Sequence, residues 1–438
     1  MIKVCKFGGS SVANGDQYRK IKEIVDSDKE RKIIVASACG KSGKNDHKVT
    51  DLLYLCDAHV KYGMDYDDIL SLILKKHQGI KEDLGLKLDV EAEVGKIREI
   101  LENKGSIDEL VSRGEYLSCK LLAEYLDADF VDAKDVVTFR YDGSLDIEKT
   151  KEKFAPHLSG KRKIVVPGFY GALPNGKIKV MSRGGSDISG ALLANIADAS
   201  VYENWTDVSG ILVTDPRIIQ NPKKIKYITY AELRELSYMG ANVLHDEAIF
   251  PVKEKNIPIN IRNTNDKDEP GTMIVNEVTS KEETPLVTGI AGKKGFTVIS
   301  AGKSNISNEI GFLKRALQII ENHRIPVTTV TTGVDNFSLI MSADDVKDNI
   351  YEIMNAFRTE LQCDDVNIYE NLALVCIVGR GMKARTGMSG EIFGELGRKK
   401  VNIKTISQGS DEISIIVGIS DKDFKKAIEA VYNRFIAE

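Results

Sequence analysis

The sequence of 438 residues predicts an α/β domain, with a central and mostly parallel sheet between helices, followed by two smaller α+β modules. Up to about residue 287, apolar segments of strand length alternate with segments of helical periodicity, which is typical of a sheet covered by helices. After a charged, proline-terminated linker at residues 281–285, the chain repeats itself once.

The first region contains six predicted strands and six predicted helices. The strands are expected at residues 2–7, 32–37, 128–132, 163–167, 200–205 and 257–262. The helices are expected at residues 49–62, 67–83, 88–104, 106–125, 186–197 and 230–244. The helical residues from about 65 to 112 should form an insertion between the second and third strands, where they could cover a substrate.

The internal repeat becomes visible when the chain is shifted by 76 positions, which lays Gly311 on Gly387 and Val327 on Ile403. Each copy is predicted to form a strand, a glycine turn, an amphipathic helix and a hairpin. A second helix follows, at residues 346–360 in the first copy and 423–436 in the second. Two βαββαβ modules are therefore expected at about 296–362 and 372–438, and strands could be exchanged between them.

The composition excludes several classes of partner. Lysine and arginine number 61 against 65 acidic residues, giving a net charge of −4 and an isoelectric point near 6.0, so we expect no nucleic-acid partner. The six cysteines form no CxxC pair, which indicates a reducing compartment. No leader-like segment and no run of about 20 apolar residues is present, so we expect a cytoplasmic protein without a membrane partner.

The segment KFGGSS at residues 6–11 leads from the first strand towards a polar stretch with helical periodicity. Gly8 and Gly9 would let backbone N–H groups approach an anion, while Ser10 and Ser11 are candidate helix N-caps. Lys6 would add a mobile ammonium. These residues predict a phosphate cradle, although a tight turn beside a solvated lysine remains the alternative.

A second glycine turn, SRGGSD at residues 182–187, opens another predicted helix. Ser186 or Asp187 could cap that helix. Arg183 could bind a carboxylate in a bidentate manner, and Asp187 could hold Lys6 by a charge-assisted hydrogen bond. Capping alone would explain the serine and the aspartate, but not the arginine and the glycines before them.

Two further segments carry polar residues at expected strand ends. Thr206 and Asp207 follow the strand at 200–205, at the usual binding edge of an open α/β sheet, and Arg217 could meet phosphate charge. Simple Asx-turns are the alternative. The hydroxyl groups of Ser37 and Thr50 could donate hydrogen bonds to the carboxylate of a small acceptor substrate, and Glu115 could bind its amino group. Because a glutamate near a helix start is usually only a partner of the helix dipole, Glu115 is ambiguous by itself.

Taken in this order, KFGGSS, SRGGSD, the TDVSG and TDPR segments and GANVLH at residues 240–245 resemble the motifs of aspartate kinases, members of the amino-acid kinase family. The repeated modules resemble ACT domains, which sense small molecules. The resemblance covers essentially the whole chain. It implies an amino-acid kinase-like sandwich at residues 1–285 and two ACT domains within residues 286–438.

The resemblance implies transfer of the γ-phosphoryl group of ATP, bound with Mg²⁺, to the β-carboxylate of L-aspartate. The product would be 4-phospho-L-aspartate, in the first step of lysine, threonine and methionine biosynthesis. Lys6 would stabilise the moving phosphoryl group, Asp187 would orient Lys6, and Arg183 would bind the substrate carboxylate. No side-chain metal site is expected.

The resemblance also assigns binding residues. The aspartate site would comprise Ser37, Thr50, Glu115, Arg183 and Ser186. The ATP site would comprise Lys6, Gly8, Gly9, Ser10, Thr206, Asp207, Leu212, Asp215, Pro216, Arg217, Asn242 and Val243.

The sequence departs from the family motifs at four points. Ser182 replaces the first glycine of GRGGSD, and Leu212 stands where a tyrosine is usual. Asn242 replaces a lysine, which removes a positive charge from the expected nucleotide site, and HDEA at residues 245–248 replaces HP. There are two alternative functions. One is an amino-acid sensor with a weakened kinase domain, and the other is a sister kinase with another carboxylate acceptor.

The ACT pair implies feedback inhibition, with lysine favoured as the effector and threonine next. In lysine-sensitive relatives the effector lies between the first repeats of two subunits, so a homodimer or homotetramer through the ACT domains is expected. No fused homoserine dehydrogenase is expected after the second repeat. The implied effector residues are Ile306, Asn308, Gly311, Phe312, Val327, Thr328, Gly333 and Asp335.

Overall fold

The computed structural model describes residues 1–182, 184–240, 244, 249–278, 285–383 and 385–437. The chain forms two compact units that are interleaved in sequence. The first unit consists of Met1–Ile211, Lys224–Tyr230 and Asn242–Thr279, and the second of Leu212–Lys223, Ala231–Ala241 and Ser280–Glu438.

The first unit is built on an eight-stranded sheet of order β3-β4-β2-β1-β7-β9-β10-β8. All neighbouring strands of this sheet are parallel except β9 and β10, which confirms the predicted, mostly parallel central sheet. A small hairpin, β5–β6, lies outside it. The strands are β1 (Lys3–Phe7), β2 (Arg31–Ala36), β3 (Asp129–Phe130), β4 (Ile164–Pro167), β5 (Tyr170–Ala172), β6 (Ile178–Val180), β7 (Val201–Thr206), β8 (Tyr227–Thr229), β9 (Ile259–Asn263) and β10 (Thr272–Val275).

Ten α-helices lie among the described residues up to residue 278, and four of them, α2 to α5, connect β2 to β3. Nine belong to the first unit, whereas α9 lies mostly in the second. The helix α2 has the predicted bounds because Gly63, in the left-handed region at φ +66°, ends it. The helices are α1 (Gly15–Asp26), α2 (Val49–Tyr62), α3 (Asp67–Leu84), α4 (Val90–Glu102), α5 (Ile107–Leu126), α6 (Ala133–Val136), α7 (Ile147–Leu158), α8 (Gly185–Ile196), α9 (Tyr230–Tyr238) and α10 (Ile249–Glu254).

Strand β1 lies in the centre of the sheet, between β2 and β7. In its register with β7, Lys6 is directly opposite Asn204, and Phe7 is opposite Trp205. A buried ion pair joins β2 to β7 across β1, with Arg31 Nε 2.8 Å from Glu203 Oε2. The indole N–H of Trp205 donates to the same oxygen. Both charges are therefore compensated inside the sheet.

The second unit contains a six-stranded sheet of order β12-β13-β11-β14-β16-β15, which is antiparallel throughout. Its two central strands are long, and each runs through both halves of the sheet. The strands are β11 (Gly289–Gly302), β12 (Thr329–Thr332), β13 (Asn336–Ser342), β14 (Asp365–Val378), β15 (Ile403–Gln408) and β16 (Ser414–Ser420). The helices are α11 (Phe312–Asn322), α12 (Ala343–Val346), α13 (Ile350–Thr359), α14 (Met388–Arg398) and α15 (Phe424–Tyr432).

The segment Leu212–Lys223 is tied to the sheet and last helix of the second unit. The N–H of Ile290 in β11 donates to the carbonyl of Val213 at 2.7 Å. The N–H of Lys223 donates to the phenol oxygen of Tyr432 at 3.0 Å, and the Lys223 ammonium donates to the carbonyl of Ile436. These bonds hold both ends of the segment on the second unit.

The helix α9 is tied to the same unit by a buried carboxylate, that of Glu232. The Arg380 Nη1 lies 2.8 Å from Glu232 Oε2. The other carboxylate oxygen accepts from the hydroxyl of Thr288 at 2.7 Å and from the backbone N–H of Arg380 at 2.9 Å. Glu232 is completely buried, so these contacts replace its hydration.

Three predicted helices have the wrong bounds. The α-helix predicted at 423–436 ends at Tyr432 and is followed by a π-helical turn at Asn433–Ala437. The helix predicted at 230–244 ends at Tyr238, because Gly240 adopts a φ of +102° and turns the chain. The helix predicted at 346–360 begins only at Ile350, with Asn349 as the N-cap residue of α13, and the short helix α12 precedes it at Ala343–Val346. Short elements such as β5, β6 and β8, of three residues each, were not predicted.

Candidate active site

A cavity of about 650 Å³ lies in the first unit, where β1, β2, β4 and β7 end. This is the binding edge of an open α/β sheet. The described residues predicted for catalysis and aspartate binding all line it, together with several of those predicted for ATP. They are Lys6, Gly8, Gly9, Ser10, Ser37, Thr50, Glu115, Ser186, Asp187, Thr206 and Asp207.

Lys6 and Asp187 form an ion pair in this cavity, with Nζ 2.5 Å from Oδ1. Both side chains are largely buried, at 10% and 16% exposed. Screening by water is therefore weak, and the charge-assisted bond fixes the direction of the lysine. The sequence suggested this contact, and the structure brings the two residues together.

Asp187 has a second partner, which the sequence did not indicate. The Asn204 Nδ2 lies 3.0 Å from the same carboxylate oxygen, Oδ1, that receives Lys6. The phenol of Tyr202 also donates to the backbone carbonyl of Asp187, at 3.1 Å. The first turn of α8 is thus attached to β7 at two points.

The first glycine turn differs locally from the prediction. Gly9–Val12 forms a 3₁₀ turn after β1, and α1 begins later, with the side chain of Asn14 accepting from Gln17 N at 3.1 Å. Ser10 and Ser11 are therefore not its N-caps. The hydroxyl of Ser11 instead shares a hydrogen bond of 2.7 Å with Thr264.

The second glycine turn also caps its helix in an unpredicted way. Gly184 is the N-cap residue of α8, with a φ of +78° in the left-handed region. Ser186 and Asp187 lie inside the first turn and make no capping bond. Their side chains are consequently available to the cavity, and the partial positive charge of the helix N-terminus faces it.

Glu115 lies on α5, lines the same cavity and is 4% exposed. Its burial raises the pKa of the carboxyl group to about 8, although a hydrogen bond from the backbone of Ala38 acts in the other direction. Its Oε2 atom is buried without a hydrogen-bond partner. Such a group is well placed to receive a cationic donor.

Sequence reasoning missed several residues that line the cavity. Gly40 follows Ser37 closely, and its N–H donates to the Gly9 carbonyl at 2.8 Å. Phe169 has a φ of +76°, which is strained for a bulky residue. Lys41 and Lys48 add positive charge at the rim. The glycine and the lysines were visible in the SACGK and HKVTD segments, whereas nothing in the sequence signals the conformation of Phe169.

The remaining predicted ATP residues fall elsewhere. Leu212, Asp215, Pro216 and Arg217 belong to the second unit, where Arg217 Nη2 lies 2.6 Å from Asp215 Oδ2. This pair holds the pKa of Asp215 below its usual value. The predicted ATP residues Asn242 and Val243, and the predicted aspartate-binding residue Arg183, lie outside the part of the chain that the structure describes.

Two segments that contain the predicted effector residues meet in the second unit. The backbone N–H of Asn305 donates to Asp335 Oδ1 at 2.7 Å, and that of Lys303 donates to the Asp335 carbonyl at 3.0 Å. Gly311 caps α11 at a φ of +76°. Of the other predicted residues, Ile306 and Asn308 form a 3₁₀ turn, Phe312 is buried, Val327 and Thr328 precede β12, and Gly333 begins the hairpin turn.

Comparison with known proteins identifies the families of both regions. The model of the amino acid kinase family matches residues 1–263, and that of an ACT domain matches residues 375–435. Aspartokinase 3 of Bacillus subtilis is 35% identical over 455 residues, which cover 100% of this chain and 99% of that protein.

Solved structures agree with this assignment. The crystal structure of the aspartate kinase of Clostridium acetobutylicum has a TM-score of 0.94 at 46% identity, and the match covers 99% of this chain and 100% of that one. Aspartokinase III of E. coli, in complex with aspartate and ADP, has a TM-score of 0.74 at 28% identity over 100% of both chains. The same enzyme with lysine and aspartate has a TM-score of 0.77 at 28% identity over 99% of both chains.

The family match covers more than half of the chain, and the Bacillus relative extends over its whole length. The chain therefore belongs to the aspartokinases of the amino acid kinase family, ATP-dependent kinases that phosphorylate a carboxylate.

Proposed function

We propose that the cavity in the first unit transfers the γ-phosphoryl group of ATP to the β-carboxylate of L-aspartate, giving 4-phospho-L-aspartate. The observation that carries this proposal is the Lys6–Asp187 pair, held between the two glycine turns. The E. coli enzyme that shares this fold was solved with aspartate and ADP, which supports the choice of substrates.

The chemistry asks mainly for charge stabilisation. The acceptor carboxylate is ionised near neutral pH, so no general base is needed to make it a nucleophile. The difficulty is to bring two anions together in a site from which water is excluded. Lys6, the N–H group of Gly9 and the N-terminus of α8 are proposed to supply positive potential for this purpose. The N–H of Gly8 donates to the carbonyl of Trp205 at 3.0 Å, so this glycine would contribute close backbone approach and not a donor.

Aspartate is proposed to bind between α5 and α8. The ionised form of Glu115 would receive the α-ammonium group, because its unpartnered Oε2 is buried at the wall of the cavity. The hydroxyl groups of Ser37, Thr50 and Ser186 would donate hydrogen bonds to the carboxylates. Arg183 would bind the α-carboxylate in a bidentate manner, as proposed from its motif alone.

ATP is proposed to use Gly8, Gly9 and Ser10 for its phosphates, with Thr206 and Asp207 further along the cavity. The segment with Leu212, Asp215, Pro216 and Arg217, and the residues Asn242 and Val243, complete the proposed nucleotide site from their sequence motifs. Mg²⁺ is proposed to arrive with ATP and to neutralise part of its phosphate charge.

The second unit is proposed to regulate this reaction, with lysine as the favoured inhibitor and threonine as the next candidate. The E. coli enzyme in complex with lysine supports the choice. The proposed effector residues lie on the segments joined by Asp335 and Asn305. The proposed nucleotide loop is part of the segment Leu212–Lys223, which belongs to this same unit. A rearrangement of the ACT repeats could therefore displace that loop.

Three finer points complete the proposal. The chain would catalyse the first step towards lysine, threonine and methionine. It would assemble as a homodimer or homotetramer through its ACT repeats. It would work in the cytoplasm, which suits six cysteines that are all free and buried. Among the described residues, no helix is long and apolar enough to cross a membrane.

The direct test is the formation of acyl phosphate, trapped by hydroxylamine as the hydroxamate, with MgATP and either L-aspartate or L-glutamate. We expect a product with aspartate, inhibition by lysine, and at most a trace of product with glutamate. A product formed only with glutamate would assign a sister kinase. ATP-independent binding of lysine without any hydroxamate would assign a sensor instead.

A further inference from the structure

Asn204 is the additional partner of the Lys6–Asp187 pair. We propose that Asn204 is a positioning residue for phosphoryl transfer, whose amide group fixes the carboxylate of Asp187 so that this carboxylate holds Lys6 in its working direction. The inference rests on the proposed function, in which Lys6 stabilises the transferred phosphoryl group. It adds a residue that none of the motifs contains.

The position of Asn204 follows from strand register. Lys6 on β1 and Asn204 on β7 are paired across two parallel strands, so their side chains leave the sheet on the same face. Asp187, in the first turn of α8, provides Oδ1 to both, at 2.5 Å from the lysine and 3.0 Å from the amide. Three elements of the first unit thus meet at one carboxylate oxygen.

The chemistry defines which group of Asn204 makes this contact. An ionised carboxylate can only accept hydrogen bonds, so the asparagine must present its NH₂ group. Asn204 is 4% exposed, and water therefore cannot easily replace the bond. A hydrogen bond to a charged group in such surroundings is stronger than one between neutral groups.

The backbone of Asp187 is held separately, by Tyr202. Its phenol donates to the Asp187 carbonyl at 3.1 Å. The same ring packs so closely on α8 that a Cβ added to Gly190 would lie 2.6 Å from it. The helix therefore stays in place without the amide. What Asn204 contributes is the direction of the Asp187 side chain, which could otherwise rotate about its χ1 angle.

The functional consequence concerns the transition state more than substrate binding. A catalytic group displaced by about 1 Å can lose about 100-fold in rate, because the charge no longer faces the reacting atoms. We expect Asn204→Leu, which keeps the size of the side chain but removes the donor, to lower kcat about 10- to 100-fold. The KM values for MgATP and aspartate should change by less than about threefold.

The matched control is Asn195→Leu. Asn195 is also 4% exposed and lies on α8, but its amide donates to the backbone carbonyl of Pro251 at 2.6 Å, away from the cavity lining. It should lose stability in the same way as the Asn204 variant and keep its kcat within about twofold. Both variants are to be assayed as full-length chains well below their measured Tm. If Asn204→Leu does not fold, Asn204→Asp is the second variant. It keeps the shape of the side chain and replaces the NH₂ donor by an acceptor oxygen, so kcat is expected to fall at least as much.

The outcomes separate this inference from the function on which it rests. An active wild-type enzyme with a selective loss of kcat in the Asn204 variant supports the inference. An active wild type with an unchanged Asn204 variant, or with an equal loss of kcat in Asn195→Leu, overturns it and leaves the proposed function standing. A wild-type chain without aspartate-dependent product overturns the proposed function itself.

Discussion

The backbone N–H of Gly40 donates to the carbonyl of Gly9 across 2.8 Å, so the turn after β2 is locked onto the glycine turn after β1. A Cβ at position 40 would lie 2.5 Å from the Gly9 carbonyl carbon and 2.8 Å from the Ser10 nitrogen. Both contacts are with backbone, which cannot move aside without distorting the proposed phosphate cradle. The close approach therefore requires glycine at this position.

Gly40→Ala should accordingly displace the cradle. We expect kcat/KM for MgATP to fall by about tenfold or more, with a loss of about 1–3 kcal/mol in stability from overpacking. The matched control is Gly43→Ala, because a Cβ there would meet no atom within 4 Å. Steady-state kinetics and thermal unfolding of both variants check this, and equal behaviour of the two would contradict it.

The buried carboxyl group of Glu115 should make aspartate binding depend on pH. With its pKa raised to about 8 by burial, the group is mostly protonated at neutral pH and must lose its proton to receive the substrate ammonium. The KM for aspartate should therefore fall by about tenfold between about pH 7 and about pH 9. Glu115→Gln should have a higher KM that stays flat over this range.

The same linkage can be measured without turnover. Titration calorimetry near pH 7 in buffers of different ionisation enthalpy should show release of about one proton per aspartate bound to the wild type. The Glu115→Gln variant should release none if it still binds. Equal proton release by both chains would exclude Glu115 as the group that titrates.

The carboxylate of Glu232 should be a major source of stability in the second unit. Glu232→Gln would remove the negative charge that lies 2.8 Å from the guanidinium of Arg380, in a site where the arginine side chain is only 14% exposed. We expect a loss of about 3–5 kcal/mol, measured by chemical denaturation of the full chain. Glu429→Gln, which removes an exposed pair with Lys425, should cost at most about 1 kcal/mol.

Asp335 should affect inhibition without affecting catalysis. Its carboxylate accepts the N–H of Asn305 and so joins the two segments of the proposed effector site. Asp335→Ala should raise the lysine concentration needed for half-inhibition by about tenfold, as expected for a lost charge-assisted hydrogen bond, with kcat unchanged. Asp344→Ala, an exposed aspartate of the same repeat, is the control. Loss of inhibition in both variants, or in neither, would argue against this site.

Much of the first unit could be predicted from the sequence because its signals are local. The helix at 49–62 has apolar periodicity and ends at a glycine, and the strand before Gly8 is apolar apart from Lys3 and Lys6. Strands of three residues, such as β8, carry too little pattern to be detected. The fold class was also predictable, since the alternation of elements and the repeat each extend over a long segment.

The contacts that build the site are less visible because they join distant residues. Asn204 lies within a strand, where the sequence offers no sign that its partner is Asp187, 17 residues earlier. The caps of α1 and α8 were predicted from serine and aspartate, whereas Asn14 and Gly184 occupy those positions. That Leu212–Lys223 belongs to the second unit depends on bonds to residues as distant as Tyr432, which no local pattern encodes.

The measurement that tests the central claim most directly compares the wild-type chain with Lys6→Met in aspartate-dependent phosphoryl transfer. Methionine keeps the length of the side chain and removes the ammonium that faces Asp187. We predict that kcat falls by at least about 1,000-fold while the variant stays folded, as for the loss of a charge that stabilises a transition state. A Lys6→Met chain that forms the hydroxamate from aspartate and MgATP within about tenfold of the wild-type rate would contradict the account.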